Sequence, residues 1–333
     1  MILVVSYADE DHTVSVIDRL TRAGHEVALV DLAEFPSSAG VLLAHAPGEP
    51  TAYRFETPRG TLDLTRVGAV WWRRIRPFGV DHSITGSRER SFALSETEEA
   101  VLGMLESLPA TWVNPQRNDQ AAHHKPYQWA IAREVGLTVP RTLVTNQPGP
   151  ARDFIRHVGV GKVVYKAFLA IAEAWRETRI VHQEDLARLD DVRYAPVIFQ
   201  EYIHGVDLRV TGVGEHVLAA EIDATSTSYP ADMRMVVGDA PVRPVDLPVS
   251  LADALRALVG RLGLVYGAID LRRTPEGDHY FLEINPAGLW RFIEDRIDLP
   301  ISDAVASTLV RLDDEAQAGD RGIVGAGLQA RSR

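Results

Sequence analysis

Short apolar runs and amphipathic stretches take turns along about the first hundred residues. Ile2 to Ser6 is a continuous apolar run, the pattern of a strand buried on both faces. Val14 to Ala23 has helical spacing, and Glu26 to Val30 gives a second strand. Such alternation opens an α/β sheet. Val67 to Trp72 predicts another buried strand, running into Arg73-Arg74-Ile75-Arg76-Pro77. A long helix is expected from about Arg90 to Leu108, with Phe92, Leu94, Val101, Leu102 and Leu105 roughly on one face, and Pro109 ends it. Thr111 to Pro115 reads as a strand and turn, and Asp119 to Val135 as one helix closed by Gly136.

Beyond Gly136 the pattern becomes α+β. Leu143 to Thr145, Lys162 to Ala167 and Val197 to Ile203 predict strands, separated by a helix from Ala151 to Val158 and a polar segment holding Glu184 to Leu189. Two hairpins follow, Leu208 to Ile222 turning at Gly212 to Glu215, and Gly267 to Ile284 turning at Pro275-Glu276-Gly277-Asp278. Leu251 to Leu262 is a helix between them. The tail from about Asp313, rich in Gly, Ala and charge, is expected to lack regular structure. The fold class is α/β and α+β, divided as 1–117, 118–206, 207–313 and a tail 314–333.

A chain of 333 residues, 46% apolar, exceeds what one ordinary core organises. Its formal charge of -11 argues against a protein that holds nucleic acid through many phosphates. The absence of cysteine excludes disulfides, thiolate catalysis and Cys-ligated metals, so any metal is held by oxygen or imidazole. Met1 to Ser6 runs at once into Asp9, Glu10 and Asp11, unlike a signal peptide, and no apolar stretch approaches the roughly 20 residues of a membrane helix. A soluble, cytoplasmic protein is expected, with a symmetric dimer as the default assembly.

Asp270 and Glu283 stand on runs that the Pro-Glu-Gly-Asp turn would fold against each other, and Asn285 shares the face of Glu283 by strand periodicity. Two carboxylates and an amide oxygen are hard ligands suited to magnesium, which completes its shell with water and substrate phosphates. Phe281, Leu282 and Ile284 flank Glu283, which separates it from an ordinary solvated acidic run.

Tyr266 to Asp270 and Phe281 to Pro286 resemble the paired metal-binding strands of ATP-grasp ligases, with their D…ExN spacing. Val163-Val164-Tyr165-Lys166 resembles that family's phosphate-reaching strand, and His124-Lys125-Pro126 falls where it places its first nucleotide lysine. Gln200-Glu201-Tyr202-Ile203 followed by Gly205 to Arg209 resembles the adenine hinge, with Asp207 as the acid for the ribose. The resemblance implies ATP and Mg2+, with Lys125, Lys166, Gln200, Glu201, Tyr202, Ile203 and Asp207 around the nucleotide and Asp270, Glu283 and Asn285 on the metal. It departs from the family in one place: Ala167 to Arg179, the position of the lid over ATP, contains no glycine.

The first domain resembles the pre-ATP-grasp domain of graspetide (microviridin-type) peptide maturases, through Val70-Trp71-Trp72-Arg73-Arg74, the opening strand with Asp9 to Asp11, and Leu32 to Pro36. Tyr229 to Arg234 resembles a D-x-R segment of the same family. The resemblance implies activation of Asp or Glu side chains of a ribosomal precursor peptide as acyl phosphates, followed by ester or amide closure onto Ser, Thr or Lys. That peptide would have a leader and an acidic, Ser/Thr-bearing core. Arg74, Arg209, Arg234 and Arg272 are the candidates for holding a carboxylate or acyl phosphate bidentately, and Asp232 is a candidate base. His12, His123, His124 and His204 are expected as polar surface groups, and Trp71 and Trp72 as packing. The same nucleotide motifs serve ligases that add amino acids to protein tails or join small amino acids, and would serve an ATP-binding regulatory module.

Overall fold

The computed structural model describes residues 1–168, 178–225, 227 and 238–330, with residues 319–330 by backbone alone. The chain forms two compact units, Met1–Arg117 with Pro300–Arg333, and Asn118–Leu299.

The first unit is built on a parallel sheet. Strand β1 (Ile2–Val5) leads into helix α1 (Asp11–Arg22) and strand β2 (Val27–Val30). Glu10 caps α1, its carboxylate accepting from the Thr13 amide at 2.7 Å. Strands β3 (Gly40–Ala44), β4 (Ala52–Thr57) and β5 (Gly60–Asp63) form a separate antiparallel sheet, which the hydrophobic pattern did not announce. Strand β6 (Ala69–Trp72), helix α2 (Ser87–Glu106) and strand β7 (Thr111–Val113) complete the parallel sheet in the order β2-β1-β6-β7. Ile2 to Val5 are fully buried, as a strand covered on both faces must be. Phe35, Phe55, Val70, Met104 and Leu105 belong to the core around them.

The C-terminal segment corrects two expectations. Pro300 onward belongs to the first unit, not to the metal-binding half, and the tail expected to lack structure continues a helix, Ile301–Ala330. Asp313 ties this helix down: its carboxylate accepts from the Met1 ammonium at 3.0 Å, from the Gly68 amide at 3.1 Å and from the Gln317 side chain at 2.9 Å. A buried carboxylate with three such donors satisfies groups the linear pattern leaves unassigned.

In the second unit the helix expected from Asp119 to Val135 is two helices, α3 (Gln116–Ala122) and α4 (Lys125–Glu134), broken at His123-His124, with Pro126 in the first turn of α4. A four-stranded antiparallel sheet follows, from β8 (Thr142–Thr145), β9 (Val163–Lys166), β10 (Arg179–Ile180) and β11 (Val197–Glu201), in the order β10-β9-β11-β8. Helix α5 (Pro148–Val158) covers one face through Ala151 and Ile155. The larger sheet contains β12 (Val206–Val213), β13 (His216–Ile222) and β14 (Val242–Pro244), then, after helix α6 (Val249–Arg261), β15 (Tyr266–Arg273) and β16 (His279–Asn285). Its order is β14-β13-β12-β15-β16, and helix α7 (Arg291–Ile297) follows. Leu208, Val210, Ile269, Leu271, Phe281 and Ile284 pack with Leu255, Leu258 and Val259 of α6, which leaves the opposite face of the sheet for polar groups.

Candidate active site

Strand alternation sends Asp207 and Arg209 of β12, and Asp270 and Arg272 of β15, away from α6. Register aligns them: Arg209 stands opposite Asp270, and Asp207 opposite Arg272. Asp270 in turn stands opposite Glu283 of β16, as the hairpin reading required. Phe281 and Glu283 are two residues apart and would ordinarily share a face. A bulge resolves this, since Leu271 pairs with Phe281 and Leu282 is the extra residue. Phe281 therefore stays in the core at 1% exposure while Glu283 joins Asp270.

Two side chains of α4 hold β16. Gln128 accepts from the Ile284 amide at 3.0 Å and donates to the Ile284 carbonyl at 2.8 Å, and the Trp129 indole donates to the Leu282 carbonyl at 3.0 Å. Lys125, one turn before Gln128, is thereby brought onto the Glu283 carboxylate in an ion pair. Arg209 donates to Asp270 at 2.7 Å and to the Leu289 carbonyl at 3.1 Å, with Phe292 beneath its guanidinium. Burial pushes the Arg209 pKa down, but the Asp270 carboxylate outweighs it and the net shift is upward, so Arg209 is a permanent cation here. Asn285 is exposed, and its side-chain oxygen accepts from the Ala287 amide at 2.9 Å.

Asp270 and Glu283 thus stand opposite each other with Asn285 two residues beyond Glu283 on β16, and each carboxylate faces a cation. Among the described residues no three His, Asp or Glu side chains form a metal cage, so a cation here would draw on two carboxylates and an amide. That donor set fits magnesium, whose remaining positions go to water and phosphate.

The nucleotide candidates lie on β9 and β11. Lys166 pairs with Ile198 and shares a sheet face with Val164 and Gln200, opposite α5. Gln200 is buried and donates to the Thr142 hydroxyl at 2.8 Å. Glu201 is half-buried, 3.7 Å from the Arg141 guanidinium. The Tyr202 amide donates to the Lys162 carbonyl at 2.9 Å, and Ile203 is buried. Asp207 and Arg272 are both buried and bond to each other at 3.2 Å, with Tyr202 stacked on Arg272. Arg234 and Asp232, and most of the lid at 169–177, lie outside the described residues.

In the first unit Arg74 is exposed, with a left-handed φ of 42°. Arg73 is buried 3.7 Å from Glu10. His12 is not a surface group: it is 5% exposed, its ring nitrogen 2.7 Å from Glu10. Burial pushes the Glu10 carboxyl up, but the His12 bond and the Arg73 charge together lower it to about 2. The residues missed from sequence are Gln128, Thr142 and Glu10. Gln128 and Thr142 act through backbone or side-chain bonds with no linear signature, and Glu10 caps α1 although glutamate is not among the favoured cap residues.

A family model for the MvdD pre-ATP-grasp domain matches residues 1–120. Macrocyclase MdnC from Microcystis aeruginosa MRC, solved bound with precursor peptide MdnA, is 31% identical with a TM-score of 0.81, over 93% of this chain and 99% of that one. The chain belongs to the ATP-grasp macrocyclase family. A RiPP-associated ATP-grasp ligase from Chryseobacterium gregarium, in complex with ADP and a leader and core peptide, is 27% identical with a TM-score of 0.84, over 93% of this chain and 96% of that one. The ATP-grasp ligase PsnB, complexed with minimal precursor, Mg and ADP, is 26% identical with a TM-score of 0.75, over 94% and 98% of the two chains. No curated protein sequence matches. Among the described residues of this macrocyclase-family chain, no helix is long and apolar enough to cross a membrane.

Proposed function

We propose that this chain is an ATP-dependent peptide macrocyclase that closes ester or amide links within a ribosomal precursor peptide. The observation that carries the reading is the facing pair Asp270 and Glu283, with Asn285 beside them and Lys125 anchored on the same patch by Gln128. Relatives with this frame were solved with ADP, Mg and peptide, which supports the same ligands here.

Asp270, Glu283 and Asn285 would hold magnesium, which when bound offsets phosphate charge during phosphoryl transfer. Lys125 and Lys166 are compact cations for phosphate oxygens. Glu201 and the backbone at Tyr202 and Ile203 line the adenine position. Arg209, committed to Asp270, orients that carboxylate. The Asp207–Arg272 pair belongs to the frame, holding β12 to β15. Arg74 and Arg234 are the arginines assigned to the substrate carboxylate.

The reaction has two balanced steps. A side-chain carboxylate of the peptide takes the γ-phosphoryl group, giving an acyl phosphate and ADP. A hydroxyl or amine of the same peptide then attacks the acyl carbon, losing its proton and releasing phosphate. The protein supplies orientation and charge. The test is incubation with ATP, magnesium and the peptide encoded beside the gene, with and without its leader, followed by mass spectrometry. The expected result is ADP release with loss of one water per ring, slower without the leader because remote binding energy positions the core. An unchanged peptide with ATP-dependent addition of a free amino acid would instead identify an amino-acid ligase. ATP binding without turnover on any peptide would identify a regulatory module.

A further inference from the structure

Between β16 and α7 the chain runs through a short loop, residues 286–289, that folds back over the polar face of β15. Burial of its tip does not hold it there, since Leu289 is 40% exposed. Contacts with the strands do. Tyr266, Ala268 and Asp270 alternate onto the same face of β15. Gly288 lies so close above them that a Cβ on it would stand 2.3 Å from the Ala268 Cβ and 3.0 Å from the Arg209 guanidinium. The Tyr266 hydroxyl, at the start of β15, donates to the Gly288 carbonyl at 2.8 Å. Tyr266 is buried, and its ring centre lies 5.3 Å from that of Trp290, the residue that caps α7.

The same loop reaches two of the three candidate metal donors. Its Ala287 amide donates to the Asn285 side-chain oxygen at 2.9 Å, which fixes how that amide is turned. Its Leu289 carbonyl accepts from Arg209 at 3.1 Å, and the same guanidinium donates to Asp270 at 2.7 Å. A displaced loop would therefore disturb Asn285 and Asp270 together. Magnesium demands near-octahedral geometry, so its affinity is sensitive to how the donors are turned and to the groups that turn them. The Tyr266 bond goes to a backbone carbonyl of the loop, and through the loop it reaches both donors.

We propose that Tyr266 is a positioning residue for magnesium: its hydroxyl pins the loop 286–289, and the pinned loop orients Asn285 directly and Asp270 through Arg209. The inference rests on the reading of Asp270, Glu283 and Asn285 as the magnesium ligands. Tyr266→Phe keeps the ring against Trp290 and removes the donor. The experiment titrates magnesium calorimetrically into the nucleotide-free wild type and variant, and measures the affinity of a non-hydrolysable ATP analogue in EDTA. Tyr266→Phe is expected to weaken magnesium binding by about tenfold, with the metal-free analogue affinity and the circular dichroism spectrum unchanged. ADP release at saturating ATP should then require about tenfold more free magnesium and approach the wild-type maximum once magnesium saturates, a split that a general loss of structure would not give. Gly288→Ala displaces the loop from its other side and should weaken magnesium binding in the same sense, so the proposal stays decidable should Tyr266→Phe fail to fold. Unchanged magnesium affinity in both variants, or a loss of analogue affinity in EDTA as large as the loss for magnesium, would overturn the positioning role and leave the metal ligands standing. A wild type that takes up no magnesium would overturn the metal reading itself, and this proposal with it.

Discussion

The Glu283 carboxylate is claimed twice, by Lys125 in this structure and by magnesium in the proposed reaction, and the two claims make separate predictions. Glu283→Gln keeps the shape and removes one anionic ligand. ADP release at saturating magnesium should fall by about two orders of magnitude or more, with the circular dichroism spectrum unchanged. Wild-type turnover in this variant would remove the metal assignment. Lys125→Met acts on the other claimant. Without the ammonium, Glu283 is left to attract a cation, so calorimetric titration of the nucleotide-free protein should show tighter magnesium binding, while affinity for a non-hydrolysable ATP analogue falls. Unaltered affinity for both ligands would mean that Lys125 serves neither phosphate nor carboxylate.

At the scale of elements, the site depends on where β12 begins. Gly205 precedes that strand with φ +152°, and a Cβ there would lie 2.0 Å from the Arg273 carbonyl oxygen of β15. Gly277, in the turn between β15 and β16, also has positive φ at +96°, but a Cβ there meets nothing within 4 Å. Both positions disfavour a side chain on backbone grounds, yet only Gly205 adds a clash that must separate β12 from β15. Gly277→Ala should cost about 1 kcal/mol and Gly205→Ala about 3 kcal/mol or more, compared by denaturant unfolding. Gly205→Ala should also raise the KM for ATP, because Glu201, Tyr202 and the Asp207–Arg272 pair adjoin the distorted turn. Equal losses in the two variants would show that the close approach has no consequence.

For the whole molecule, stability depends on pH through its buried carboxylates, and Glu10 is the clearest. Its folded-state pKa of about 2 lies below the ordinary 4.5. A depressed carboxyl contributes stability that is present in full above the unfolded value and is lost as pH falls from about 4.5 toward about 2, a contribution of roughly 3 kcal/mol. Glu10→Gln should therefore be less stable at neutral pH and lose less stability than wild type across that acid window. Chemical unfolding at several pH values checks it, and parallel curves for the two proteins would contradict the assignment.

By itself the sequence determined the runs and their chemistry: the buried strands Ile2 to Val5 and Val67 to Trp72, the two hairpins, and the acids and lysines carried on them. These were legible because period-two and period-3.6 burial is written residue by residue, and because the turn before Asp278 sets a hairpin register. The tertiary structure alone decided which side chains meet. The bulge at Leu282 separates Phe281 from Glu283, and no local pattern announces it. The register of β12 on β15, strands far apart in sequence, gives Arg209 to Asp270 and sets buried Asp207 against Arg272. The break at His123-His124 and the bonds of Gln128 bring Lys125 to Glu283, and Asp313 draws the C-terminal helix onto the first unit. The bonds of Arg209, Asp207, Gln128 and Asp313 are each a long-range pairing of polar groups removed from solvent. The stability of each comes from satisfying a partner that is distant in sequence, so it has no signature along the chain.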